Sequence, residues 1–158
     1  NEEQDFNLRS VAGGYLYQQS DYFDEIVKNC EVATEENPSD FDWKALDMGW
    51  KLGRFVKTNG IVLANSEQLL GVGAGQMSRV DSVKIAIRKA GEAGLNLDGA
   101  ILASDAFFPF PDSIELAAKY GIKSIIQPGG SIKDKDVIQK ANELGISMVL
   151  TGKRHFFH

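Results

Sequence analysis

The chain has 158 residues, 43% of them hydrophobic and 25% charged, with a formal net charge of -5, which predicts one globular domain with a sizeable core. No stretch approaches the roughly 20 apolar residues that span a bilayer, no signal peptide is visible, and the acidic balance argues against a nucleic-acid module. Cys30 is the single cysteine, which excludes an internal disulfide framework and a multi-cysteine zinc site. A reducing cytoplasm is the expected setting. The opening Asn1-Glu2-Glu3-Gln4 carries no initiator methionine, so a piece of something longer is expected.

Tyr15, Leu16 and Tyr17 follow the Gly13-Gly14 pair, which predicts a strand entered from a tight turn. The acidic stretch from Asp21 to Pro38 reads as a surface connection. Ser39-Asp40 then caps a helix carrying Phe41, Trp43, Leu46, Trp50, Leu52 and Phe55 at roughly helical spacing, with both tryptophans in the core. After Lys57-Thr58-Asn59, residues 60–64 and 68–72 read as a hairpin around Asn65-Ser66-Glu67. An amphipathic helix from Val80 to Gly91 places Val83, Ala86, Ile87 and Ala90 on one side. Strands at 99–103, 122–127 and 146–150 then alternate with helices at 113–120 and 134–144. Such alternation predicts α/β layers around a mixed, mostly parallel sheet.

The run from Ser104 to Asp112 is a loop at the carboxyl end of a central strand, where open α/β sheets bind ligands. Asp112 or Ser113 caps the helix that follows. Three phenylalanines and two prolines make the loop stiff and too apolar for a solvated turn, so it is an interface plug or a ligand wall. Gly71-Val72-Gly73-Ala74-Gly75 matches a dinucleotide fingerprint only loosely, because Gln76 stands at the sixth position and the preceding strand reads as antiparallel. Its other use is close backbone approach to a ligand, with Ser78, Arg79 and the helix start as donors. An arginine at a helix start opposes the dipole, so Arg79 either holds an anion or is a solvated surface side chain. Pro128-Gly129-Gly130-Ser131-Ile132 lies on the same edge, before a helix that Ser131 or Asp134 could cap. The tail Lys153-Arg154-His155-Phe156-Phe157-His158 follows the last strand. It is an aromatic tail docked on a partner, or it supplies an arginine for phosphate, a ring for stacking and a titratable histidine. No Ser-His-Asp reading is persuasive, because neither histidine is held by a chain context that orients it, and the zinc-deaminase motif is absent.

Four stretches together, residues 73–80, 104–110, 127–132 and the terminal Arg154-His155-Phe156 to His158, resemble the carboxyl-terminal half of AICAR transformylase, the purine-biosynthesis family that also carries IMP cyclohydrolase. The resemblance implies a three-layer α/β/α, cytidine-deaminase-like lobe over residues 1–158, with the first lobe and the cyclohydrolase domain absent. It implies transfer of the formyl group of 10-formyltetrahydrofolate to the 5-amino group of AICAR. Asn59 and His158 would be the catalytic groups. Asn59, Arg79, Phe107, Arg154 and Phe156 would hold AICAR, and Val80, Pro109, Phe110, Asp112, Ser131 and Ile132 would border the folate. Asp105, with backbone carbonyls near Val56 and Thr58, would match the family's monovalent-cation site, usually potassium; no zinc is implied. The family's Lys-His-x-Asn-Pro motif is not in these residues, and family active sites lie between two subunits. The lobe is therefore expected to be inactive alone and to work with a homodimer partner and the missing lobe. The alternatives are a non-catalytic AICAR- or folate-binding module and a dimerisation lobe.

Overall fold

A computed structural model describes residues 6–19 and 26–155. Its first elements, β1 (Phe6–Val11) and β2 (Gly14–Gln19), form an antiparallel hairpin of their own. The predicted strand after Gly13-Gly14 is thus present, and the tight turn joins it to a second strand before it.

Six strands make the main sheet: β3 (Glu31–Val32), β4 (Ile61–Ala64), β5 (Leu69–Gly73), β6 (Ile101–Ser104), β7 (Ser124–Gln127) and β8 (Ser147–Leu150), in the order β3-β8-β7-β6-β4-β5. The sheet is mixed. Its parallel part is the β6–β7–β8 trio, each crossing over through a helix, while the β4–β5, β4–β6 and β3–β8 ladders are antiparallel. The parallel share is smaller than the strand–helix alternation suggests, because β4 and β5 form a hairpin and β3 adds at the far edge. β3 lies within what reads in the sequence as a surface connection. Two residues are too few to show a periodicity.

The strands read as continuous apolar runs because both faces are covered. Ile61 and Leu63 belong to one buried cluster with α2 (Arg79–Glu92), α3 (Asp112–Lys119) and α4 (Asp134–Glu143). Val62 and Ala64 turn to the other face, against α1 (Asp40–Gly53). That gives three layers, as expected. α1 starts in a capping box: Ser39 Oγ accepts from the Asp42 N–H (3.2 Å), and Asp42 Oδ2 accepts from the Ser39 N–H (2.9 Å). Its Leu46 and Trp50 are fully buried, but Trp43 is only partly so, and Phe41 and Phe55 are exposed. The β4–β5 turn is closed by Asn65, whose Oδ1 accepts from the Glu67 and Gln68 N–H groups.

Two capping expectations need correcting. The residue at the N-cap of α3 is Pro111, whose fixed φ already suits the helix, and Asp112 Oδ1 instead accepts from the Ser113 N–H (2.7 Å). At α4 the N-cap is Lys133. Ser131 Oγ accepts from the Lys133 N–H and Asp134 Oδ2 from the Gly130 N–H, so both side chains tie the glycine turn together.

β5 runs antiparallel to β4, and β4 antiparallel to β6, so β5 shares its direction with β6, β7 and β8. The loops after all four strands leave by the same edge of the sheet. That edge carries the site. Among the described residues no helix is long and apolar enough to cross a membrane.

Candidate functional site

The glycines of residues 71–75 serve packing. A Cβ on Gly71 would run into the Ala86 carbonyl, and one on Gly73 into the Ser82 carbonyl, so both strand positions are bare because the α2 backbone lies directly on them. Neither a dinucleotide nor another ligand is what approaches this backbone, which corrects that expectation for Gly71 and Gly73. The close packing brings the start of α2 down to the strand ends. Ser78 caps the helix by accepting from the Asp81 N–H, and its hydroxyl donates to Asp81 Oδ2 (2.7 Å).

Arg79, the first residue of α2, points under the loop that follows β6. Its Nη1 donates to Asp105 Oδ1 (2.5 Å) and Ser104 Oγ (2.9 Å), and its Nη2 to Asn59 Oδ1 (2.8 Å). The side chains of Arg79 and Asp105 are 6% and 1% exposed. This is a buried ion pair with added hydrogen bonds, the geometry that makes such a pair tolerable and costly to break, at about 3–5 kcal/mol. Arg79 is therefore not a solvated surface side chain, and the anion beside it is the protein's own carboxylate. The sequence signal was an arginine at a helix start, where the dipole disfavours it; the missing half was Asp105.

Asn59 is held at both ends, because its Nδ2 donates to the Gln76 carbonyl (2.8 Å) while its Oδ1 accepts from Arg79. Its own backbone carbonyl accepts from Ser82 Oγ (2.7 Å). Asp105 ties in two more segments: its N–H donates to the Gly60 carbonyl, and its carbonyl accepts from the His155 N–H (2.9 Å). His155 is buried, its ring tilted against Trp50 at 4.1 Å. The tail up to His155 is thus docked onto this domain.

Above this frame lies a cleft of about 420 Å³. Asn59, Arg79, Phe107 and Arg154 line it, as do Val80, Pro109, Phe110 and Asp112. Eight of the positions singled out in the sequence therefore meet in one cavity. Thr58 lines it too, while Asp105 sits behind it. Ser131 and Ile132 stand on the neighbouring loop and do not line the cleft; Ile132 is fully exposed. Val56 packs against the α1 side of the core. Phe156 and His158 lie outside the described residues. The three phenylalanines of the 104–112 loop divide: Phe108 is core, Phe107 half-buried on the cleft wall, Phe110 exposed at its rim. Met77, Ala106 and Ser113 also line the cleft, and none of them is assigned a part in ligand binding from the sequence. Asp105 Oδ2, Thr58 Oγ1 and Ser113 Oγ are buried and have no hydrogen-bond partner among the described residues.

The family model described as AICARFT/IMPCHase bienzyme matches residues 1–89 of the chain. The chain belongs to this family. It is 55% identical over 149 residues to the bifunctional purine biosynthesis protein PurH of Ligilactobacillus salivarius, covering 94% of this chain and 29% of that one. The PurH protein of Staphylococcus haemolyticus is 51% identical over 158 residues, covering all of this chain and 31% of the relative. The chain thus spans under a third of the length of these curated relatives. Among solved structures, a diaminohydroxyphosphoribosylaminopyrimidine deaminase/5-amino-6-(5-phosphoribosylamino)uracil reductase from Thermotoga maritima superimposes with a TM-score of 0.50 at 19% identity, covering 67% of this chain and 36% of that one. That likeness is one of fold, and it agrees with the deaminase-like α/β architecture expected.

Proposed function

We propose that this chain is one lobe of a formyltransferase, contributing the cleft at its sheet edge to formyl transfer from 10-formyltetrahydrofolate to the 5-amino group of AICAR. The observation that carries this reading is the meeting of Asn59, Arg79, Phe107 and Arg154 with Val80, Pro109, Phe110 and Asp112 around one cavity. Arg154 is exposed on the cleft and suits a phosphate through its planar fork of donors. Phe107 offers a ring face to the imidazole, and the Phe-Pro rim a stiff apolar wall to a flat pterin.

The folate supplies the formyl group. The exocyclic amine of AICAR is conjugated with its ring and weakly nucleophilic, so holding it in line with the formyl carbon is a large part of what this lobe can add. Asn59, with its carboxamide pinned by Arg79 and Gln76, is the polar group placed to orient the amine or the formyl oxygen. His158 is proposed to handle the proton that leaves the amine. Asp105 Oδ2 and Thr58 Oγ1, buried and without a hydrogen-bond partner among the described residues, are hard donors of the kind an alkali cation such as potassium takes, so Asp105 would hold such a cation with oxygens of the segment near Val56 and Thr58. Ser131 and Ile132 would reach a folate from the adjacent loop.

Met77, Phe110 and Ile132 are large apolar side chains exposed along this same edge. They favour completion of the site by a second surface, the first lobe or a second subunit of the family's enzyme, in the cytoplasm. Calorimetric titration of AICAR into the chain tests the half-site: micromolar binding that disappears in Arg154→Ala is expected, and no binding at millimolar AICAR would overturn a preformed half-site.

A further inference from the structure

We infer that Asp105 is a positioning residue: through Arg79 it locks the carboxamide of Asn59 in the orientation that the cleft presents to its ligand. The inference uses the formyl-transfer reading of the cleft only for its AICAR measurement; the lock itself stands on geometry.

An asparagine side chain can present its oxygen or its nitrogen with little difference in shape, so a site that needs one of them must enforce the choice. Here the choice is enforced from both sides. The Arg79 Nη2 can only donate, which fixes the oxygen end of Asn59, and the Gln76 carbonyl can only accept, which fixes the nitrogen end. A flip would set donor against donor and acceptor against acceptor. The second N–H of Nδ2 and the second lone pair of Oδ1, each at a fixed place, are then what Asn59 has to offer the cleft it lines.

Arg79 in turn is held by Asp105 and Ser104, and Ser104 is oriented by donating its own hydroxyl proton to the Ala106 carbonyl (2.7 Å). Asp105 is rooted by backbone hydrogen bonds to Gly60 and His155, one from the segment next to Asn59 and one from the tail that carries Arg154. Its carboxylate does not line the cleft. Its effect on a ligand therefore passes through the groups it holds, and for Asn59 the guanidinium bonded to Asp105 Oδ1 is the bridge.

The test is nuclear magnetic resonance of the full 158-residue chain carrying nitrogen-15, read at the side-chain amide of Asn59. In the wild type that pair should be shifted away from the signals of the exposed Asn37 amide and exchange with water at least about tenfold more slowly. Arg79→Lys keeps the charge beside Asp105 but loses the fork that reaches Asn59; this variant and Asp105→Asn should each move the Asn59 signals to the Asn37 position with fast exchange. An Asn59 amide that already exchanges like Asn37 in the wild type, or that stays protected in folded variants, overturns the inference. Should one variant not fold, the other carries the test, and a wild-type Asn59 amide that exchanges like Asn37 overturns the inference in either case. In the second arm, Asp105→Asn should weaken AICAR binding about tenfold, yet cause no further loss in an Asn59→Ala background. A further loss of similar size there would mean that Asp105 acts by a route other than Asn59, through general structure or a bound cation, and would overturn the inference. Failure of the wild type to bind AICAR would overturn the preformed half-site, with the lock then judged on the Asn59 signals alone.

Discussion

Gly73→Ala is a severe substitution that looks mild. The added methyl would overlap the Ser82 carbonyl oxygen, with the carbonyl carbon 2.6 Å and the Ser82 Cα 2.9 Å away, where real Cβ atoms essentially never come within 3.0 Å. These are backbone atoms in the first turns of α2, so no rotamer change can relieve them. The helix must retreat by about 1 Å or more, which opens the densely packed face of β5. Overpacking of this kind costs about 1–3 kcal/mol, and a backbone clash belongs at or above the upper end. Because Arg79 and Val80 lie on the same helix start, the cleft should distort as well. Urea unfolding followed by Trp50 fluorescence should show the midpoint falling with an unchanged slope. Gly91→Ala is the internal control: it lies in the same helix, an added Cβ meets nothing within 4 Å, and it should stabilise by about 0.5–1 kcal/mol. A Gly73→Ala cost below about 0.5 kcal/mol would refute the view that these glycines exist to seat the helix.

Phe108→Ala should cost about 3–5 kcal/mol, whereas Phe110→Ala, at the exposed rim, should change stability by less than about 0.5 kcal/mol and weaken ligand binding instead; paired denaturation and titration would separate the two. Acid should destabilise the fold. Asp81 is held below its ordinary 3.8 by hydrogen bonds from Ser78 and then Lys84, and Glu92 and Glu143 below their ordinary 4.5 chiefly by hydrogen bonds from Lys89 and Lys140. Carboxyl groups depressed in the folded state stabilise it above those ordinary values, and the contribution is lost as pH falls through the lower folded ones. Urea midpoints should therefore drop between neutral pH and about pH 3, by less at high salt because these groups are on the surface; midpoints that do not move would refute the assignment.

The strands and helices are readable because the helices carry an apolar stripe and the central strands short buried runs between turn residues, and the shared edge follows from their alternation. The pairing of Arg79 with Asp105 was not. It joins residues 26 apart, and sequence pattern reports neighbours along one element, not partners across two. The same limit hid Gln76, whose contribution is a backbone carbonyl and so has no side-chain signature. Gly71 and Gly73 misled for a different reason: glycine records that something comes close, but not whether it is a ligand or a helix. Ser131 and Ile132 sit where their loop was expected, and the structure leaves them outside the cleft because the glycine turn is tied back on itself by Asp134.

The β1–β2 hairpin is a two-stranded sheet of its own. Its ladder closes on itself, and nearly all its residues are exposed, including Leu8, Tyr15 and Tyr17, with Phe6 stacked on Tyr17 at 4.6 Å. A lone two-stranded ribbon is marginal in water, so its amides should trade hydrogen with solvent through small local openings, while those of β4 and β6 wait for global unfolding. Trp50, sealed in the α1 core, would report only the second process. A sharp fluorescence melt could then coexist with a hairpin already open, visible only to a probe that follows Tyr15 or Tyr17.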